Sequence, residues 1–198
     1  MTTLLMSPST QKIARQSRFP AVPDGTFVIE PGHAVVAFAG RTSRFLPTVS
    51  ARFREVEGSV VIDTATGIVD VEVAIALGSV TSGNRAWDEM IAVADPFDVR
   101  HHPTARYTGR AANFETAAGT AAITIQGELD MRGLQRPVSL TAAWQQTTAG
   151  RLAVQAAGTV HRGDFGLRFD IPALSRLLPQ RMNLTIDIDA RGPEAGRC

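Results

Sequence analysis

Cysteine is almost missing from this chain: Cys198, the final residue, is the only one. No intramolecular disulfide can form, so the core alone must hold the fold. Neither sign of charge dominates either. Lys and Arg total 20 against 19 Asp and Glu, a formal net charge of +1, whereas a general nucleic-acid binder carries a basic stripe. Long apolar runs are absent, and nothing approaches the ~18 residues that a membrane-spanning helix needs. The opening stretch "MTTLLMSPSTQKIARQSRFP" has neither the basic start nor the apolar run of a secretory leader. These absences predict a cytoplasmic protein with no membrane span and at most transient contact with a membrane. Residues 1–22 read as a flexible arm, 23–191 as one domain and 192–198 as a disordered tail.

Templates for chemistry are lacking as well. The histidines are His33, His101, His102 and His161. The adjacent pair precedes Pro103, which favours extended backbone, so its two rings point to opposite sides. No Cys-x-x-Cys or His-Glu-x-x-His spacing occurs, which leaves no metal template. A Gly-x-Ser-x-Gly elbow is missing, and nothing is placed to lower the pKa of Cys198. Asp187 and Asp189 share the wet face of a strand, and "TSGN" and "AAGT" read as turns rather than phosphate loops. The residues predict neither an enzyme nor a cofactor.

What is present is alternation. In "VDVEVAIAL", Val69, Val71, Val73, Ile75 and Leu77 share one face and Asp70 and Glu72 the other. "AITIQGELD" sets Ile123, Ile125 and Leu129 against Thr124, Gln126, Glu128 and Asp130. "NLTIDIDA" repeats the pattern with Leu184, Ile186 and Ile188. Side chains alternate across a strand, so such stretches form antiparallel sheet with one solvated face. Weaker runs lie at 26–30, 33–39, 48–56, 58–63, 104–112, 136–146 and 151–161, separated by turn signals such as "EPGH" and "TTAG". Helical patterning is confined to "NRAWDEMIAVA", with Asn84 as N-cap and Trp87, Met90, Ile91 and Ala94 on one face, and to a turn or two in "ALSRLLPQ". The predicted fold is all-β: a single antiparallel barrel or sandwich of about eight strands with one or two short helices.

A barrel of that size is either filled by its side chains or holds one small ligand. Small residues on inward faces (Ala34, Ala122, Ala142, Ala156 and Gly158) would leave volume unfilled unless the core repacks around them. One charged stretch stands out, "TVHRGDFGLRFDIP" at 159–172. If it is a strand, Arg162 and Asp164 share a side and satisfy each other across a bend at Gly163 and Gly166. The alternative sets the Arg162 guanidinium at a barrel rim, where it would meet a polar ligand head.

Five segments, in order, resemble the YceI family of lipocalin-like, polyisoprenoid-binding proteins. They are "GTFVIEPGHAVVAFAGR", "ARFREVEGSVVID", "VTSGNRAWDEMIAVADPFDVRHHPTARYTG", "ITIQGELDMRGLQRPVSLTA" and "GTVHRGDFGL". The third is similar to the family's helix, its Phe-Asp-Val and its Pro-x-x-x-Phe strand. The fourth is similar to Gly-x-Leu-x-x-Arg-Gly-x-x-x-Pro-Val-x-Leu, and the last to Asn-Arg-x-Asp-Phe-Gly. The resemblance spans 24–191 and implies a lipocalin-like barrel whose apolar pore binds an isoprenoid chain, a polyprenyl lipid or quinone tail. A homodimer and no catalysis are implied with it. On that reading Val36, Phe38, Phe53, Val71, Val73 and Ile125 line the pore. Phe27, Phe45, Phe97 and Phe165 join them as core or mouth aromatics, and Arg136, His161 and Arg162 are the candidates to meet a polar head. The chain departs from the family at His161, where Asn is usual. Tyr107 replaces Phe, and the stretch "RFDIPALSRLLPQRMN" is longer and more apolar. A ligand-free structural or stress-related interaction protein with a filled barrel is the competing reading. An enzyme acting on a small apolar substrate comes third.

Overall fold

The computed structural model of the chain describes residues 24–42, 45, 48–112, 122–147, 150–167 and 178–192. The arm expected at 1–22, most of the "ALSRLLPQ" turn and the tail after Gly192 lie outside those residues, as does the side chain of Ala122. The alternating stretches become strands β1 (Gly25–Ile29), β2 (Ala34–Gly40), β3 (Val49–Phe53), β4 (Val56–Asp63), β5 (Ile68–Ala76) and β6 (Val80–Thr81). Then follow β7 (Thr104–Ala112), β8 (Ala122–Met131), β9 (Leu134–Thr147), β10 (Arg151–His161) and β11 (Arg181–Arg191). Among the described residues one α-helix, α1 (Arg85–Ala94), is found, between β6 and β7.

These segments close into an eight-stranded antiparallel barrel. The count works because β1 and β2 are two halves of one bent stave, turning at Gly32 with φ 85, and β3 and β4 are two halves of the next. β1 and β2 run along β4 and β3 respectively, with Phe27 opposite Val60 and Val36 opposite Phe53. β5, β7, β8, β9, β10 and β11 follow in order, and β11 returns to both β2 and β1. β6 is an extra two-residue strand on the edge of β3.

The β1–β11 seam is thin, with Val28 opposite Arg191 as its recorded pairing. Charged groups reinforce it from outside. Arg191 Nη2 lies 3.5 Å from Glu30 Oε1 across the seam, and Arg151 of β10, 2.8 Å from Asp189 Oδ1, sets Nη2 3.1 Å from His33 Nδ1. The backbone N–H of Asp189 donates to the His33 carbonyl at 2.8 Å.

Alternation does what the sequence led one to expect. Val69, Val73 and Ile75 of β5 and Ile125 and Leu129 of β8 are buried in the core. Their strand neighbours Glu72, Thr124, Gln126 and Glu128 are exposed. The helix starts where predicted, with Asn84 Oδ1 accepting from the Trp87 N–H at 3.2 Å. It ends at Asp95, whose left-handed backbone (φ 35) returns an N–H to the Ile91 carbonyl.

The charged stretch after β10 corrects the strand reading. Residues Arg162–Phe165 form a 3-10 turn, which destroys the two-residue parity that would have placed Arg162 beside Asp164. Arg162 is buried and Asp164 exposed. Of the two glycines only Gly166 adopts a left-handed conformation, φ 61, and it terminates the turn. Arg132, itself left-handed at φ 56 in the β8–β9 turn, donates from its guanidinium to the Phe165 and Gly166 carbonyls. That brace holds the turn against the barrel end.

Candidate functional site

The barrel is not filled. A cavity of about 460 Å³ runs along its axis, within the range of small-molecule sites. Its walls are almost wholly apolar, drawn from every stave of the barrel. Val71, Val154, Leu184 and Ile186 are inward-pointing residues in mid-strand, yet only half-buried, because they look into this space. Small wall residues make the room: Ala105, Ala142 and Ala156 are inward, buried and on the lining. Gly158 contributes none, since Leu140 already covers it and would stand 2.6 Å from an added Cβ.

The two ends differ. At one, Leu152 and Ala190 are completely buried, and the Gly192 N–H bonds to the Gly150 carbonyl at 2.7 Å across the closure. At the other, exposed residues reach the lining: Thr48 and Ser50 from the β2–β3 hairpin and Asn84 from the start of α1. Trp87 and Ile91, on the inner face of α1, and Leu178 and Pro179 complete this mouth. Besides the indoles of Trp87 and Trp144, the polar side chains on the lining are Thr48, Ser50, Ser82, Asn84, Tyr107 and Arg162, gathered mostly at the open end.

Of the residues proposed from sequence, Val36, Phe38, Phe53, Val71, Val73, Phe97, Ile125 and Arg162 line the cavity. Phe38, Phe53 and Phe97 form an aromatic chain below the mouth, with ring centroids 5.7 and 5.4 Å apart. Five residues stand elsewhere. Phe45 is 81% exposed, because it sits in the β2–β3 hairpin, where strand parity no longer dictates direction. Phe27 is buried, but its ring lies against Gly192 at the closed end. Phe165 is 1% exposed and buried in the 3-10 turn, off the lining. Arg136 and His161 are off the lining, Arg136 half-buried opposite Leu129 and donating to the Gln135 carbonyl at 2.8 Å, His161 exposed at the end of β10. Both are candidates for a polar head through the family resemblance, and on β10 the parity of Val154, Ala156 and Val160 turns His161 away from the pore.

The helix is pinned to the mouth by one carboxylate. Asp88 accepts from the Thr81 hydroxyl at 2.7 Å and from the Ser82 hydroxyl and N–H at 2.6 Å each. Those bonds from Ser82 and Thr81 hold its pKa below the usual 3.8. Sequence reasoning found the helix but not this anchor, whose signal is the Thr-Ser pair seven and six residues before the aspartate. Deeper in, the Tyr107 hydroxyl donates to the Val138 carbonyl at 3.2 Å, and burial pushes its pKa up to about 12. The phenol is therefore a neutral group in the wall. Among the described residues no cluster of His, Cys, Asp and Glu fit to hold a metal occurs.

Comparison with known proteins places this architecture. A family model described as "YceI-like domain" matches residues 27–190. The crystal structure of BcnA from Burkholderia cenocepacia superposes with a TM-score of 0.67 at 15% identity, covering 82% of this chain and 99% of that one. A polyisoprenoid-binding domain from Saccharophagus degradans, implicated in plant cell wall breakdown, gives 0.62 at 17% identity and covers 84% and 98%. The Campylobacter jejuni YceI protein gives 0.62 at 20% identity, with 75% and 88% covered. Among curated proteins nothing matches the chain.

Proposed function

The chain belongs to the family of YceI-like domains, and on that premise we propose that its barrel binds an apolar chain, specifically that of an isoprenoid lipid or quinone, as a carrier or store and not as a catalyst. The observation that carries this reading is the cavity of about 460 Å³, apolar along its length and polar chiefly at the mouth. An amphiphile matches that distribution with its tail inside and its head near Ser50, Ser82 and Asn84. Burying each CH₂ is worth about 0.8 kcal/mol, so a long tail needs few polar contacts. Arg162 is the charged group on the lining and the proposed partner for a polar or anionic head on the Leu178–Pro179 side of the mouth. The same volume argues against the filled, ligand-free barrel. The Saccharophagus degradans neighbour, described as polyisoprenoid-binding, supports an isoprenoid over other chains.

Native mass spectrometry of freshly purified protein, followed by organic extraction, tests the proposal. A co-purifying isoprenoid is the expected result. A protein that emerges empty and then takes up neither quinones nor polyprenols overturns it. The same spectrum reads out the homodimer that belongs to this proposal.

A further inference from the structure

The two most exposed large apolar side chains among the described residues, Val93 at 86% and Phe45 at 81%, both belong to elements that frame the mouth. Phe45 is in the hairpin that supplies Thr48 and Ser50 to the lining; Val93 is on the outer side of the helix that supplies Trp87 and Ile91. At the base of the hairpin Arg41 donates to the Thr48 hydroxyl from Nε and Nη2 at 3.2 and 2.9 Å. The hairpin's charge is one-sided. From Ala34 to Arg54 the sequence contains Arg41, Arg44, Arg52 and Arg54 and not one carboxylate, although the whole chain is nearly balanced at +1. Across the mouth, the Glu89 carboxylate of α1 is occupied by Arg85 at 2.8 Å, and Asp88 is turned into its anchoring bonds.

We infer that this rim docks on the surface of an anionic lipid bilayer, with the Phe45 ring entering the interface and the exposed Arg41 and Arg52 facing the head groups. An aromatic ring with neighbouring guanidiniums is a combination that such interfaces favour. The position gives the docking a purpose, because a tail leaving the bilayer at this point meets the open end of the cavity and stays out of water. The inference rests on the proposed lipid-binding function, and the experiment separates the two.

The intact protein is sedimented with vesicles of phosphatidylcholine alone and with phosphatidylglycerol added, and ligand uptake is measured separately from a dilute detergent solution of a quinone. The wild type is expected to sediment with the anionic vesicles and to be released by salt. Phe45→Ser should lower that association at least about tenfold, and Arg52→Gln about fivefold. Uptake from detergent and thermal stability should stay unchanged in both. Equal sedimentation of Phe45→Ser and wild type overturns the inference, as does failure to sediment with either vesicle while quinone uptake is normal. A change in oligomeric state in Phe45→Ser with vesicle association intact also overturns it, assigning the ring to contact with a second copy of this chain. Failure of quinone uptake in the wild type sinks the lipid-binding reading itself, whatever the vesicles show.

Discussion

Tyr107 lies over Gly127: a Cβ built on that glycine would stand 2.5 Å from the ring carbon Cζ and 2.5 Å from the hydroxyl oxygen. Gly109, directly opposite Gly127 on β7, is covered by the same ring. Two bare positions in the barrel wall are thus filled from the side by one phenol, whose hydroxyl reaches on to the Val138 carbonyl.

This phenol is directly observable, because Tyr107 is the chain's single tyrosine. Ultraviolet titration of the folded protein should show ionisation near pH 12, against 10.0 after denaturation. The sign for stability follows. Between those values the unfolded chain releases a proton that the folded one keeps, so stability falls as pH rises through that window. A native midpoint near 10 would mean that the phenol is not buried as described.

Gly127→Ala should be costly. Its methyl group would also lie 2.5 Å from the Thr108 carbonyl, a backbone atom that cannot swing aside. Overpacking of this kind costs about 1–3 kcal/mol. Denaturant unfolding checks it, and a change below about 0.5 kcal/mol would show that the wall is looser than the contacts indicate.

Filling the cavity should separate binding from stability. Ala156 and Ala142 face each other across β9 and β10, both on the lining. Ala156→Leu adds bulk into open space, so the fold should change by less than about 1.5 kcal/mol while affinity for a long-chain quinone falls at least about tenfold. Phe38→Trp, placed nearer the mouth, should weaken long chains in the same way. Unchanged affinity in both variants would put the binding site elsewhere.

The strap after α1 should respond to pH. His101 Nδ1 lies 2.6 Å from Asp98 Oδ1, with Asp95, His102 and Arg132 also nearby. The hydrogen bond that His101 donates to Asp98 raises the His101 pKa above 6.5, and the same bond lowers Asp98 below 3.8. The histidine's contribution is fully present below 6.5 and lost as pH rises through its higher folded value. The carboxylate's is present above 3.8 and lost on acidification through its lower one. Thermal midpoints compared between about pH 5.5 and about pH 8.5 should therefore drop more for wild type than for His101→Gln. Identical profiles would show that the exposed pair has no hold on the strap that carries Phe97.

The parts of this molecule that are legible in its sequence are those governed by local periodicity. Val69 to Leu77 announce a strand and its inner face, and Asn84 announces the start of a helix, because alternation and capping are decided within a few residues. The turn at Arg162 is not announced that way. Val160 and His161 continue a strand, and the backbone then tightens where a left-handed Gly166 and the distant Arg132 meet it. Phe45 misled for a related reason, since an apolar side chain in a hairpin obeys no parity. Barrel closure depends on β11 finding β1 and β2 from the other end of the chain. No local pattern encodes that pairing; it entered through the likeness of five segments to one family.

Among the described residues the pore is closed at Leu152 and Ala190, which makes it a blind alley. A chain that enters head-last then backs out through the mouth it came in by. Every additional CH₂ buried along the way slows the return about fourfold if its transfer energy is lost before the barrier. Residence time in this barrel should therefore act as a ruler, counting the length of the tail more finely than any contact at the mouth can.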